Sequence, residues 1–236
     1  LLDIEGTTCP VSFVSDVLFP YATQYLTTFI QDNRNQNAIQ TLIHNAWEEW
    51  VNDTKEESQQ LFQSLDHDQR EKSESICVYL QHLISVDRKS TALKDIQGLI
   101  WRQGYKDGLL VSDLFPETTE CLKQWVEKGI QVSSYSSGSI EAQKQLYAHT
   151  KDGDLCPLFR EWFDTHTGPK KKASSYELIT KELKTEPKKI AFISDNHLEC
   201  HAARQAGLHT LFSQRQGNPD QDPAGHITIQ SLCEVI

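Results

Sequence analysis

Along residues 11–108 the apolar positions recur every three or four residues. Phe13, Val17 and Leu18, then Tyr21, Tyr25 and Leu26, follow one helical face, with Pro20 placed to kink or divide the segment. The same spacing predicts helices over 39–51, 74–86 and 91–105, while the polar run 52–60 reads as a connection leading into a solvated helix start. No strand is predicted in this stretch. After Gly108 the pattern changes to short apolar runs alternating with helices of about ten residues. Helices are predicted over 116–128, with Pro116 in a tolerated first-turn position, and over 140–149, 174–183 and 198–206. Strands are predicted over 130–135, around Trp162 and Phe163, over 189–194 ("KIAFIS") and over 208–212. Strands that alternate with helices imply a parallel sheet. The chain thus reads as one α/β domain, residues 1–11 and 109–236, interrupted by a helical insertion at 12–108.

The N-terminal "LLDIEGTT" completes the pattern. Two apolar residues lead into Asp3 and Glu5, and Gly6 permits a sharp turn. Only two residues precede Asp3, and there is no methionine anywhere, so the chain is expected to start inside its first strand. Three strand ends then fall on one sheet edge, where open α/β sheets bind their ligands. They are Asp3-Ile4-Glu5-Gly6-Thr7, Ser136-Ser137-Gly138-Ser139 and Ser194-Asp195-Asn196, with Thr167-Gly168-Pro169-Lys170-Lys171-Lys172 ahead of another helix.

Composition narrows the classes. With 236 residues, 38% hydrophobic and 24% charged, the chain has the make-up of an ordinary globular protein. A net charge of −10 argues against non-specific nucleic-acid binding and against anionic membrane surfaces. No apolar run approaches the ~20 residues of a membrane helix, and no signal-peptide pattern opens the chain. Cys9, Cys77, Cys121, Cys156, Cys200 and Cys233 form no C-x-x-C pair, which fits free thiols in a reducing compartment. The cytoplasm is expected from this cysteine usage; the nucleus is kept as a further location that composition does not itself indicate.

The inventory at the shared edge suits phosphoryl transfer. Carboxylates from distant strands hold Mg²⁺, a hard ion that takes oxygen ligands and keeps several waters. Hydroxyls and backbone N–H groups at a helix N-terminus receive phosphate oxygens. A lysine adds positive charge to the non-bridging oxygens, and an Asp attacks phosphorus while a second acid protonates the leaving group. Of the three consecutive lysines one is expected to reach the site, Lys170 first and Lys171 as the alternative. His197 and His201 do not fit the H-E-x-x-H zinc pattern, because the acid stands one place late, and they read as surface or packing residues. Trp47, Trp50 and Trp101 read as packing of the helical insertion.

These residues resemble the four motifs of the haloacid dehalogenase-like phosphatases. The first motif of that superfamily is h-h-h-D-x-D-G-T, and Glu at position 5 in place of its second Asp is a mark of one branch, the enolase-phosphatases of methionine salvage. "DIEGTT", "LFPYA", "ALKDIQGLIWRQGYKDG", "YSSGSIEAQKQL", "WFDTHTGPKKKASSYELI" and "FISDNHLECHAA" are similar to that branch in order and spacing, and together span most of the chain. The resemblance implies a Rossmann-like core with an all-helical cap inserted after the first strand. It implies Asp3 as nucleophile and metal ligand, and Glu5 as general acid/base with its carbonyl on the metal. It further implies Ser136, Ser137 and Lys170 on the phosphate, Asp195 completing the site for one Mg²⁺, and Glu199 orienting water or the lysine.

The implied reaction is conversion of 2,3-diketo-5-methylthiopentyl-1-phosphate to the acireductone by enolisation and dephosphorylation, in a monomer. Two readings stay open beside it. One is a general small-molecule phosphatase, and the other a non-catalytic truncated homologue, against which intact Asp3, Glu5, Lys170 and Asp195 argue. The sequence departs from the family at Ser133 and Ser134, where a more apolar strand is usual, and at Gln216 in "RQGN", where proline is expected.

Overall fold

Pro10 leads into a single helical turn, α1 (Val11–Phe13), and a turn of π-helix at Val14–Leu18 precedes α2 (Phe19–Asn33). Pro20 falls at the second position of α2, directly after the π-helical turn. The division expected at this proline is taken up by the widened turn before it. Among the described residues α3 (Asn37–Asn52), α4 (Glu56–Gln63), α5 (Ser73–Ser85) and α6 (Thr91–Lys106) follow. The computed structural model describes residues 1–66, 73–86, 88 and 90–235. The chain folds into two compact units, Asp16–Leu109 and the combination of Leu1–Ser15 with Leu110–Ile236.

The helical unit closes on its own core. Leu26 and Ile30 of α2, Trp50 of α3, Ile76, Leu80 and Leu83 of α5, and Ile96 and Ile100 of α6 are all buried together. Trp50 stacks on Tyr79 with centroids 4.9 Å apart, and its indole N–H donates to the Ser58 carbonyl at 2.9 Å. A buried carboxylate, Asp53, is neutralised by Arg88 at 2.5 Å and accepts from the Tyr79 hydroxyl at 3.2 Å. Burial pushes the Asp53 carboxyl up, but the Arg88 hydrogen bond and charge hold it well below the usual carboxylate range.

In the second unit α7 (Thr118–Glu127) starts two residues later than predicted. Phe115 N–H and the Thr118 hydroxyl both donate to the Thr8 carbonyl, which fixes 115–117 as a turn ahead of the helix. The order is then β1 (Val132–Tyr135), α8 (Ile140–Ala148), β2 (Phe159–Phe163), α9 (Ala173–Leu183), β3 (Ala191–Ser194), α10 (His197–Gln205), β4 (His209–Ser213) and β5 (Ile227–Ile229). β5 has no counterpart in the sequence expectations.

β1 pairs in parallel with β2, and β3, β4 and β5 pair in parallel in that order. Residues 1–3 join the two halves, because Leu2 bridges Ser134 on one side and Ile193 on the other. Leu2 N–H donates to Ser133 O at 2.8 Å and Asp3 N–H to Ile193 O at 2.9 Å. The order across the sheet is therefore β2, β1, residues 1–3, β3, β4, β5, all parallel. One core cluster joins Tyr135, Phe163 and Phe192 from the strands to Tyr176, Ile179 and Leu183 of α9 and Ala202 and Ala203 of α10. This is a doubly covered parallel α/β sheet that brings its strand ends to one edge. No helix of the described residues is long and apolar enough to cross a membrane.

Ser134 carries the cost of the unusual serines in β1. Its hydroxyl is fully buried and has no hydrogen-bond partner. Removing such a group relieves a desolvation penalty of about 1–3 kcal/mol while creating only a small void. Ser134→Ala is therefore expected to leave stability unchanged or raise it, measured as the urea midpoint, whereas a clear loss would contradict the reading of an orphaned hydroxyl.

Candidate active site

Asp3 is the last residue of the central segment, so its side chain emerges at the sheet edge between β1 and β3. The loop that follows is wound tightly on the Ile4 carbonyl, which accepts from the N–H groups of Thr7, Thr8 and Cys9. Gly6 has φ +68° and donates its N–H to Cys9 O at 2.7 Å. A side chain there would overlap the Asp195 carboxylate and come within 2.8 Å of Asn218 Oδ1. Glycine is thus required twice, by conformation and by the approach of an acid from 189 positions along the chain.

Lys170 lies at the centre of the acids. Its Nζ is 2.6 Å from Asp3 Oδ1 and 2.7 Å from Glu199 Oε2, and all three side chains are buried. Tyr176 holds the lysine backbone by donating its hydroxyl to Lys170 O at 2.7 Å. Lys171 and Lys172 are exposed, so of the run only Lys170 points inward. Burial disfavours the charged ammonium, but the Asp3 and Glu199 carboxylates outweigh it and hold Lys170 protonated far above neutral pH. Ser194, from β3, links the same acids: its Oγ is 2.9 Å from Glu199 Oε2 and 3.4 Å from Asp3 Oδ2.

Asp195 follows β3 immediately. Burial, then the Asp3 and Glu199 carboxylates, push its carboxyl up to about 8, against a partial opposing pull from Lys170. Glu199 is raised as well, by burial and by Asp3. Fully ionised, Asp3, Asp195 and Glu199 would carry more negative charge than one lysine offsets, which is why the Asp195 and Glu199 carboxyls are raised, and all their donors are hard oxygens. Among the described residues no three His, Cys, Asp or Glu side chains form a ready metal cage. Two carboxylates, Asp3 and Asp195, with a backbone carbonyl such as that of Glu5 and several waters are nevertheless the donor set that suits Mg²⁺. Glu5 is half-buried, lies in the tight loop and adds its negative charge to the field at Asp195.

Ser136 and Ser137 lie at the end of β1. Ser136 is buried and its Oγ accepts from Gly138 N–H at 3.3 Å, which leaves its own hydrogen to donate; Ser137 is exposed. Ser139 caps α8 by accepting from Ala142 N–H. The sequence reading missed what supports this turn. Asp164, at the end of β2, accepts from Ile140 N–H at 3.2 Å and His166 N–H at 2.8 Å. Gln143 donates to Gly138 O and Phe163 O. Neither has a distinctive spacing, because each acts on backbone groups. The histidines of the near-zinc pattern play other parts: His197 pairs with Asp220 at 2.5 Å, and His201 is exposed beside Gln205.

The raised Asp195 value has a testable consequence. An exposed aspartate releases its proton near 3.8, whereas folded, metal-free Asp195 holds its proton to about 8. Ionising it in the folded state therefore costs stability progressively as pH rises across that window. In EDTA, Asp195→Asn is expected to melt level with the wild type near pH 4 and above it near pH 8. A variant that melts below the wild type at pH 8 would contradict the crowding of negative charge at this position.

The chain as a whole is similar to known proteins. A family model of haloacid dehalogenase-like hydrolases matches residues 1–207. The chain is 56% identical over 235 residues to an enolase-phosphatase E1 of Synechococcus sp. (strain CC9605), covering 100% of this chain and 94% of that protein. It is 39% identical over 235 residues to the enolase-phosphatase E1 of Pseudomonas fluorescens (strain Pf0-1), covering 100% and 95%. The crystal structure of UTR4 protein from Saccharomyces cerevisiae superposes with a TM-score of 0.76 at 28% identity, over 98% of this chain and 96% of that one. With Asp3, Lys170 and Asp195 gathered at the edge of a parallel sheet, and with relatives matched over 94% and 95% of their length, the chain belongs to the haloacid dehalogenase-like hydrolases and, within them, to the enolase-phosphatase E1 family.

Proposed function

We propose that this chain is a magnesium-dependent phosphatase that converts 2,3-diketo-5-methylthiopentyl-1-phosphate to its acireductone by enolisation and loss of phosphate. The observation that carries the reading is the buried Asp3–Lys170–Glu199 triad at 2.6 and 2.7 Å, whose acids raise the neighbouring Asp195, in a chain 56% identical to an enolase-phosphatase E1. Lys170 orients Asp3 through Oδ1, and the carboxylate attacks phosphorus to form an aspartyl-phosphate. Glu5 protonates the departing oxygen, then takes a proton from the water that hydrolyses the acyl phosphate. Ser136, Ser137 and the neighbouring N–H groups at the start of α8 receive the phosphate oxygens. Lys170 supplies positive charge to those oxygens, and Glu199 keeps the lysine in place when Asp3 turns to phosphorus. Asp3, Asp195 and the Glu5 carbonyl would hold one magnesium ion, which when bound would supply charge that lowers the cost of negative charge on phosphate and enolate oxygens.

Substrate preference separates this reading from a general phosphatase. A site adapted to a short apolar thioether chain penalises sugar phosphates, whose hydroxyls lose water at a cost of roughly 1–3 kcal/mol each. The diketo-phosphate is therefore expected to exceed glucose- and fructose-phosphates in kcat/KM by at least about a hundredfold at equal magnesium. Comparable efficiency on all three favours the general phosphatase.

A further inference from the structure

Ser213, at the end of β4, and the turn Arg215-Gln216-Gly217-Asn218 behind it take no part in the chemistry above, yet their donors end on the loop that carries Asp3 and Glu5. Gly6 O accepts from Ser213 Oγ at 2.9 Å and from Asn218 Nδ2 at 2.9 Å, which fills both of its lone pairs. Thr7 O accepts from Arg215 Nη2 at 3.3 Å. The turn is itself held rigid. Asn218 Nδ2 also reaches Ser213 O at 3.0 Å. Arg215 Nη1 lies 2.6 Å from both Gln230 O and Glu117 Oε1, and the guanidinium sits 4.3 Å from the Phe115 ring centroid. Arg215 and Asn218 are both buried, so these bonds form away from solvent competition.

The Gly6 peptide joins Glu5 to the place where the backbone meets Asp195. We infer that Ser213, Arg215 and Asn218 are positioning residues that fix the Gly6 and Thr7 carbonyls, and through them the Glu5 peptide, the Glu5 carboxyl and the seat of Asp195. The inference rests on the proposed phosphatase reading. It gives the Arg-Gln-Gly-Asn segment a role at the site even though its glutamine departs from the family and none of its side chains touches an acid of the site at hydrogen-bond range.

The sharing of one carbonyl predicts a distinctive pattern. Ser213→Ala or Asn218→Ala alone leaves Gly6 O with one donor, whereas the double variant leaves a buried carbonyl with none. Each single change is expected to lower kcat by about threefold to tenfold at unchanged KM, and the double by more than the product, to below about a hundredth. Magnesium affinity, titrated calorimetrically, is expected to weaken at least about tenfold in the double variant, since the same loop presents the Glu5 carbonyl.

The wild type is assayed first, on the diketo-phosphate and on p-nitrophenyl phosphate. No phosphate from either overturns the phosphatase reading, and the calorimetric titration then decides the clamp by itself. A double variant that is folded at 25 °C by circular dichroism and keeps kcat and magnesium affinity within about twofold of wild type overturns the clamp. If the double variant is unfolded, Arg215→Lys decides, because it keeps a cation for Glu117 but cannot also span to Thr7 O. A lower kcat at unchanged KM supports the clamp there, and a wild-type kcat overturns it.

Discussion

Asp3→Asn is expected to reduce phosphate release by more than about a thousandfold while leaving the protein folded, because no other group replaces a covalent nucleophile. The fold should survive for a reason visible in the site. Lys170 keeps Glu199 as an ionic partner at 2.7 Å when Asp3 loses its charge. Asp195 and Glu199, both pushed up partly by the Asp3 carboxylate, are relieved of that repulsion. The variant's far-ultraviolet spectrum and melting temperature should therefore stay close to wild type. Enolisation needs no aspartyl-phosphate, so absorbance of an enolised phosphate intermediate can accumulate in this variant. Retention of more than about a hundredth of the wild-type rate would remove Asp3 from the nucleophile's role.

Lys170→Met should damage both activity and stability. The methionine keeps most of the apolar stem but removes a buried cation from between two carboxylates at 2.6 and 2.7 Å. Removing one partner from a buried ion pair leaves uncompensated charge, at a cost of about 3–5 kcal/mol. Loss of the positive charge that serves the phosphate oxygens should lower kcat by about a hundredfold to a thousandfold. The stability loss has a pH signature. Without the cation Glu199, already raised by burial and by the Asp3 charge, binds its proton more tightly than an exposed glutamate, so the penalty is small below about pH 4 and grows as pH rises. Denaturant melts of wild type and variant at pH 4.5, 6 and 8 should show a widening gap, and a gap independent of pH would mean the loss comes from packing alone.

The sequence made the acids at the strand ends legible because they follow a pattern that chemistry imposes. An acid leaving a strand, a glycine that allows the turn and a strand ending in Ser-Asp ahead of a helix are local signals, and all land on the edge where the parallel order brings them. Lys170 is the first choice from the run, with Lys171 as the alternative; its burial between Asp3 and Glu199, with Lys171 exposed, separates the two. Other features had no local signal. β5 is three residues long with Ile227 71% exposed, so neither length nor alternation marks it. The π-turn at Val14–Leu18 keeps nearly helical spacing, and only its hydrogen bonds distinguish it. Asp164 also meets Ile140 N–H and Gln143 also meets Phe163 O, 24 and 20 positions away, while Ser213 and Asn218 reach Gly6 O, and no side-chain pattern records which distant backbone group such a side chain will meet.

The most direct test follows both products of one reaction. Purified protein is given 2,3-diketo-5-methylthiopentyl-1-phosphate with magnesium, and phosphate release is recorded alongside the acireductone's ultraviolet absorbance under nitrogen. Acireductone and phosphate are expected in equal amounts, EDTA is expected to stop phosphate release, and added magnesium is expected to restore it. Phosphate release without acireductone, or release that continues undiminished in EDTA, would contradict the proposed reaction.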